Sequence, residues 1–425
     1  MSATPASLVR KVRWRLAMPA IAFMLLSSLD RVNVSFAALQ MNHDLGFSPS
    51  QYGFGAGILF LGFLAGQYPS VLVLQRIGMR RWLSLCALSW ALCAAGIAAV
   101  RTPLQFDVLR VLLGFAEGGL APGIVLYLSQ FATEQERATT FALPMLAIPI
   151  SLVLGSPVSG WLMGSTPPFH VAAWRWMLIA ESLPTLALGL AAWFYFPDRP
   201  AEASWLSSPE RAWLEQHAAL RAVDRVHNDW RVLREPMVWA AALLWFGLLS
   251  GAYGIMFWLP QMIRQLSGLS NFQIGLVNAL PWAGAALGTY YNSQHSDRTG
   301  ERFWHIGAPA ALAGVAILSA WALSGGVPGL AALFMAGLAL GAAQGAFWAL
   351  PTALLGPATL AVAAVAINIC GSSGGLVMPH LVGYVRERSG SFAGPTLLIA
   401  LMLFLSAALV ALIRLLSPSS DQARS

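Results

Sequence analysis

The chain has 425 residues, of which 57% are hydrophobic and 10% charged, with a net charge of +7 and a mean hydropathy of +0.65. Soluble domains carry about 25% charged residues; so few charges cannot cover a water-exposed surface, whereas a lipid-facing surface needs none. The positive balance is not a nucleic-acid footprint, because the basic residues are nearly all Arg, spread thinly and never combined with aromatic or zinc-ligand patterns.

In chain order, apolar runs long enough to cross a bilayer core of about 30 Å fall near 16–40, 51–74, 82–100, 104–131, 138–163 and 172–196. A polar break from Pro197 to Arg234 follows. Six more runs fall near 236–261, 272–294, 304–323, 328–350, 360–384 and 394–416. The expected fold is all-α and membrane-integral, with twelve transmembrane helices in two pseudo-symmetric bundles. The bundles would span 1–196 and 235–425, joined by a central loop at 197–234. In that loop Ser208-Pro209-Glu210 is a helix-start signal. Leu206, Trp213, Leu214 and Leu220 would give the helix an apolar stripe, to lie on the membrane surface. The first apolar run is too long for the core of a secretory signal and no convincing cleavage site follows it, so no cleaved leader is expected.

Eighteen of the 25 basic residues fall in the segments that share a side with the N-terminus. Five fall on the other side: Arg101, Arg175, Arg264, Arg386 and Arg388. The positive-inside rule then puts both termini in the cytoplasm. The last two, Arg31 and Arg110, lie inside apolar runs.

The halves echo each other. Gln75-Arg76-Ile77-Gly78-Met79-Arg80-Arg81 follows the second run, and Ser296-Asp297-Arg298-Thr299-Gly300-Glu301-Arg302 follows the eighth. An Arg-x-Gly core with a trailing Arg recurs at the same topological place, as internal repeats do in secondary transporters.

Ionisable groups inside membrane helices are costly and usually line a polar pathway. The candidates are Asp30, Arg31, Asp107, Arg110, Glu117 and Glu181; Asp107 and Glu181 lie nearer the expected helix ends, within reach of water. Arg110 and Glu117 are seven apart and share a helix face. Gly114 and Gly118 lie on that face, where another helix can approach closely. A packing seam holding a buried ion pair would explain that set alone, but Asp30 and Arg31 add a second acid and base. Catalysis is not expected: the chain has no His-Glu-x-x-His pair, no Gly-x-Ser-x-Gly elbow and no phosphate loop. Its seven His and three Cys lack metal-like spacing, so no metal or cofactor is expected.

The two loop motifs resemble the conserved cytoplasmic motif of the major facilitator superfamily. Asp297, Arg298, Gly300 and Arg302 follow its pattern, as do Arg76, Gly78 and Arg80, but Gln75 stands where the family usually has Asp. Arg110-x-x-x-Gly114-x-x-x-Gly118 and Gly155-Ser156-Pro157-x-x-Gly160 resemble two further motifs of the superfamily. Leu29-Asp30-Arg31-Val32-Asn33, Arg110 through Pro122, Trp174-Arg175-Trp176 and Pro197-Asp198-Arg199-Pro200 are similar to the anion:cation symporter branch, which moves organic anions.

This resemblance implies proton-coupled uptake of a small organic anion across an inner membrane by alternating access, with protons as the coupling ion and a monomeric protein. It implies that Asp30 and Glu117 exchange protons. Arg31 would hold the substrate carboxylate, and Arg110 would pair with the acids and support substrate binding. Trp348 and Asn368 would line the cavity from the second half, although a packing aromatic and an interhelical hydrogen bond are the plain alternatives. Gly62-Phe63 and Gln67 replace the Gly-Tyr and Glu of sugar-acid carriers, which leans toward a less hydroxylated carboxylate, with aromatic acids and sugar acids both left open as substrates. An exchanger or drug effluxer on the same fold, or a membrane sensor that binds a solute without moving it, remain the alternatives.

Overall fold

The computed structural model describes residues 6–131, 147–221, 230–323, 326–355 and 357–416. The described residues are nearly all helical and include no strand. In the first part of the chain the long helices are α1 (Met18–Leu45), α2 (Pro49–Ile77), α3 (Met79–Ile97), α4 (Pro103–Gly118, continued as Leu120–Ser129), α5 (Ala147–Gly164) and α6 (Ala173–Tyr195). In the second they are α7 (Pro236–Leu266), α8 (Asn271–Thr299), α9 (Phe303–Ala322), α10 (Gly326–Phe347, continued as Ala349–Leu354), α11 (Pro357–Ser389) and α12 (Ala393–Leu416).

Ten helical stretches among the described residues are long and apolar enough to cross a membrane. The expected runs at 82–100 and 272–294 are helical, as α3 and α8, but are more polar. Arg80 and Arg81 open α3, and Asn278, Asn292 and His295 interrupt α8. The start of the expected run at 138–163, with Arg137, lies outside the described residues, as do Arg225 and Arg424.

Local chemistry sets the helix ends. Thr102 caps α4, its hydroxyl accepting from the Gln105 N–H, with Pro103 at the first helical position. Ser270 and Gln273 form a capping box at the start of α8. Gly78, between α2 and α3, has φ +84°, and Gly300, which ends α8, has φ +69°. Both occupy the left-handed region that favours glycine. The Arg-x-Gly echo in the sequence is therefore a repeated backbone turn.

The chain divides into two compact units. The first comprises Met1–Ala37, Ile58–Gly155 and Ser165–Val226; the second comprises Ala38–Gly57, Ser156–Gly164 and His227–Ser425. One end each of α1, α2 and α5 thus packs within the second unit. There the Tyr52 hydroxyl donates to the Phe257 carbonyl at 2.8 Å, and Asn278 Nδ2 donates to Ser156 Oγ at 2.9 Å.

Each unit has the same glycine seam. In the first, a Cβ at Gly114 or Gly118 of α4 would overlap the Leu59 or Phe63 carbonyl of α2, and one at Gly62 or Gly66 would overlap the Val111 or Phe115 carbonyl of α4. In the second, Gly284 and Gly288 of α8 meet the Phe334 and Leu338 carbonyls, while Gly337 and Gly341 of α10 meet those of Pro281 and Ala285. Small residues spaced four apart let backbones touch where lipid supplies no hydrophobic drive between helices.

The helix Ser208–Arg221 of the central loop docks on the first unit. Leu206 and Leu214 are buried, and Glu210 accepts from Lys11 Nζ at 2.8 Å, from Ser7 Oγ at 3.1 Å and from the Ser207 N–H at 2.8 Å. The Lys11 ammonium and then the Ser207 N–H pull the Glu210 carboxyl down to about 2. Part of the expected apolar stripe therefore packs on protein; the side chain of Leu220 lies outside the described residues.

Candidate functional site

Among the described residues of the long helices of the first unit, four charged side chains are buried: Asp30 at 1% exposure, Arg110 at 0%, Glu117 at 1% and Glu181 at 3%. Ser27, Asp30 and Arg31 lie within little more than one turn of α1, and the helical period separates their directions. Asp30 meets α3 and α6: its carboxylate accepts from Trp90 Nε1 at 3.1 Å and Thr185 Oγ1 at 3.4 Å, and from Asn33 Nδ2 at 3.3 Å. All three donors are neutral. Ser27 and Arg31 meet α4 instead. Glu117 Oε2 accepts from Ser27 Oγ and from Arg31 Nη2, each at 3.0 Å. Arg31 also donates to Ser27 Oγ at 3.3 Å, and its guanidinium lies 5.0 Å from the centroid of the Phe63 ring.

The sequence places Arg110 and Glu117 on one face of α4, and their charges are near enough to interact. The hydrogen-bonded cation on Glu117, however, is Arg31. Arg110 is wholly buried, whereas the Arg31 side chain keeps 16% exposure. Glu117 Oε1 and Arg31 Nε take no hydrogen bond among the described residues. The ion pair thus keeps spare hydrogen-bonding capacity on both partners.

Glu181 corrects the sequence reading. It is buried in α6 and its charge acts on Asp30, so it does not reach water as expected for a residue near a helix end. Asp107 is half-buried. Trp90, Thr185 and Ser27 were not singled out from sequence; as neutral donors among many similar residues, they carry no periodic or motif signal.

In the second unit Trp348 is half-buried within an aromatic cluster. The Trp245 ring stacks on Phe347 with centroids 4.3 Å apart and meets Trp348 edge-on at 5.7 Å. Gly371 of α11 makes room for Trp245, since a Cβ there would overlap the indole. Asn368 is half-buried, one turn before Gly371 on the same face of α11, and makes no hydrogen bond among the described residues.

The two loop motifs are built differently. At the first, Asp198 from the central loop lies against Gly78; its Oδ1 accepts from the Arg80 N–H at 2.8 Å, at the N-terminus of α3. Arg80 reaches Phe196 O at 3.2 Å and Glu202 at 3.4 Å. Asp198 thus brings a carboxylate to the loop where Gln75 lacks one, while Arg76 is exposed. At the second, Arg302 donates to Asp297 Oδ1 at 2.7 Å and to Ser296 Oγ at 2.9 Å, with Arg298 exposed. Burial pushes the neighbouring Glu301 carboxyl up, but the Trp304 and His305 N–H groups and the His305 ring outweigh it and hold it below its usual range.

Residues 20–379 match the Major Facilitator Superfamily. The chain belongs to the Major Facilitator Superfamily. It is 37% identical over 422 residues to a putative tartrate transporter of Agrobacterium vitis, covering 99% of this chain and 94% of the relative. It is 31% identical to a quinolone resistance transporter of Acinetobacter baumannii, covering 93% of this chain and 92% of the relative. Its backbone is similar to the crystal structure of a bacterial homologue of the human lysosomal transporter Spinster, with TM-score 0.79 and 16% identity over 96% of this chain and 99% of that one. This superfamily member is accordingly a multi-pass membrane transporter and not an enzyme. The sequence-level resemblance to the superfamily holds across most of the chain, and the buried charges of α1, α4 and α6 lie within the matched region.

Proposed function

We propose that the protein takes up a small organic anion together with protons, by alternating access. The observation that carries this reading is the Arg31–Glu117 ion pair, buried beside the separately held carboxylate of Asp30. A substrate carboxylate that takes the Arg31 fork leaves Glu117 as a buried anion short of its partner, a costly species. Proton uptake by Glu117 relieves that cost. Substrate and proton are then bound together, because one guanidinium cannot serve both carboxylates fully. Arg suits the role through its planar, bidentate geometry. Asp30, held by neutral donors alone among the described residues, is the second proton site. Arg110 supports the charge balance around Glu117. Trp348 and Asn368 would meet the rest of the substrate.

Coupling has an energetic purpose. An anion entering a negative cell interior is opposed by about 2.3 kcal/mol per charge per 100 mV, which one proton cancels. The Arg-poor side of the helices would face outward, with both termini cytoplasmic in an inner membrane. The functional unit would be a monomer of two six-helix bundles joined by the 197–234 loop. The name of the Agrobacterium relative favours a carboxylate as substrate.

The test is uptake of a panel of labelled carboxylates into proteoliposomes, with and without an inward proton gradient. Gradient-driven accumulation of one acid is expected. The name of the Acinetobacter relative favours a second reading, drug export. Transport of quinolones with no carboxylate accumulation would replace the first reading with that one.

A further inference from the structure

A cavity of about 310 Å³ lies in the second unit, at the end of α7 and α11 remote from the Gly300 loop. Asn42, Trp258, Gln261, Arg264, Arg386 and Phe392 are among its walls. Its volume is at the small end of the ligand pockets of about 300–1,000 Å³ found in proteins. Nothing in the uptake mechanism uses it.

Four features of this cavity suit an anionic ligand. Arg264 donates to Asn271 Oδ1 and Arg386 Nη2 donates to Gln265 Oε1 at 3.0 Å, so both cations are met by neutral amides. Among the described residues neither makes an ion pair. Glu387, next to Arg386, is turned away: it accepts from Ser48 Oγ at 2.9 Å and from the Ser50 N–H at 3.0 Å. The Arg386 guanidinium lies 4.7 Å from the centroid of the Phe392 ring, within cation–π range. Two buried amide atoms, Gln261 Nε2 and Asn42 Oδ1, have no hydrogen-bond partner among the described residues. Such orphans are uncommon and ask for an explanation.

We infer that this cavity is a reception site for a small carboxylate bearing a hydroxyl or similar donor, which the transporter binds before the Arg31–Glu117 pair. The carboxylate meets Arg264 and Arg386, Gln261 donates to it, and the hydroxyl donates to Asn42 Oδ1. Trp258 and Phe392 supply an apolar wall against the carbon skeleton. Two cations at the mouth also raise the local concentration of an anion. The site rests on the organic-anion reading above and places that substrate at a second location.

The experiment compares wild type with Arg264→Gln/Arg386→Gln and Arg264→Lys/Arg386→Lys, using labelled tartrate and labelled benzoate. Both equilibrium binding to purified protein and initial uptake rates are measured. The Gln pair is expected to weaken tartrate binding and raise its KM by at least about tenfold at unchanged maximal rate, since the loss of even one charge-assisted hydrogen bond is worth about that factor. The Lys pair, which keeps the charge, is expected to recover much of the loss and controls for folding. Benzoate, with no hydroxyl for Asn42, is expected to bind more weakly. Unchanged binding and KM in the Gln pair, with uptake intact, overturn the site and leave the uptake reading standing. Binding lost in the Gln pair, in a protein that accumulates neither acid, supports the site and overturns the uptake reading. No binding of either acid by wild type overturns the site.

Discussion

Arg31 Nη2 lies 3.0 Å from Glu117 Oε2, in a part of the first unit where the Glu117 side chain is wholly buried. Removing one partner of a buried pair is expected to do more harm than replacing both, because it strands a charge. Glu117→Gln removes the titratable acid yet keeps an acceptor for Arg31. It is therefore expected to retain substrate counterflow while losing gradient-driven accumulation. Arg31→Ala is expected to lose both, and to lower the thermal midpoint by an amount matching about 3–5 kcal/mol.

Phe63 presents an apolar ring to the Arg31 guanidinium. A hydroxyl added there would lie close to the guanidinium proposed to hold the substrate carboxylate. Phe63→Tyr is expected to shift preference toward hydroxylated acids, within about tenfold. Competition of uptake by tartrate and benzoate, measured in both proteins, checks the direction.

The glycine seams make a stability prediction. A Cβ at Gly114 would overlap the Leu59 carbonyl, which belongs to helix backbone and cannot swing aside. Gly114→Ala is expected to destabilise by about 1–3 kcal/mol, as overpacking does. Gly337→Ala, against the Pro281 carbonyl, is expected to behave alike. Gly268→Ala, with open space around the position, is the control. Thermal unfolding in detergent reads all three.

The Lys11–Glu210 contact gives a pH dependence. Glu210 is held at about 2 in the folded protein, against 4.5 ordinarily. A carboxyl lowered in this way adds stability that is complete above about 4.5 and is lost as pH falls toward about 2. Glu210→Gln is expected to lower the thermal midpoint at pH 7, and the gap from wild type is expected to narrow below about pH 4.5 and to close toward about pH 2.

Composition and run length made the membrane class and most helix positions legible, because lipid imposes apolar spans that no other constraint mimics. The Arg-x-Gly echo was legible too, and its cause is two left-handed glycine turns, at Gly78 and Gly300. Asp30, Arg31, Arg110 and Glu117 stood out as charges in apolar runs. Their pairing did not, because a one-residue rotation of α1 against α4 decides whether Asp30 or Arg31 meets Glu117. Glu181 was misread because distance along a sequence does not report depth in a bundle. Asp198 answers the missing acid at Gln75 from more than 100 residues away, a compensation no local motif can show. Gly62 and Gly66 were visible only as small residues until α4 was placed against them.

The most direct test of coupled transport is the pH inside proteoliposomes, followed with an internal dye as substrate is added outside. With no imposed gradient, wild type is expected to acidify the lumen as the anion enters. Asp30→Asn and Glu117→Gln are expected to exchange substrate without that acidification. Acidification at the wild-type rate in both variants, or anion entry by wild type with no proton movement, would contradict the account.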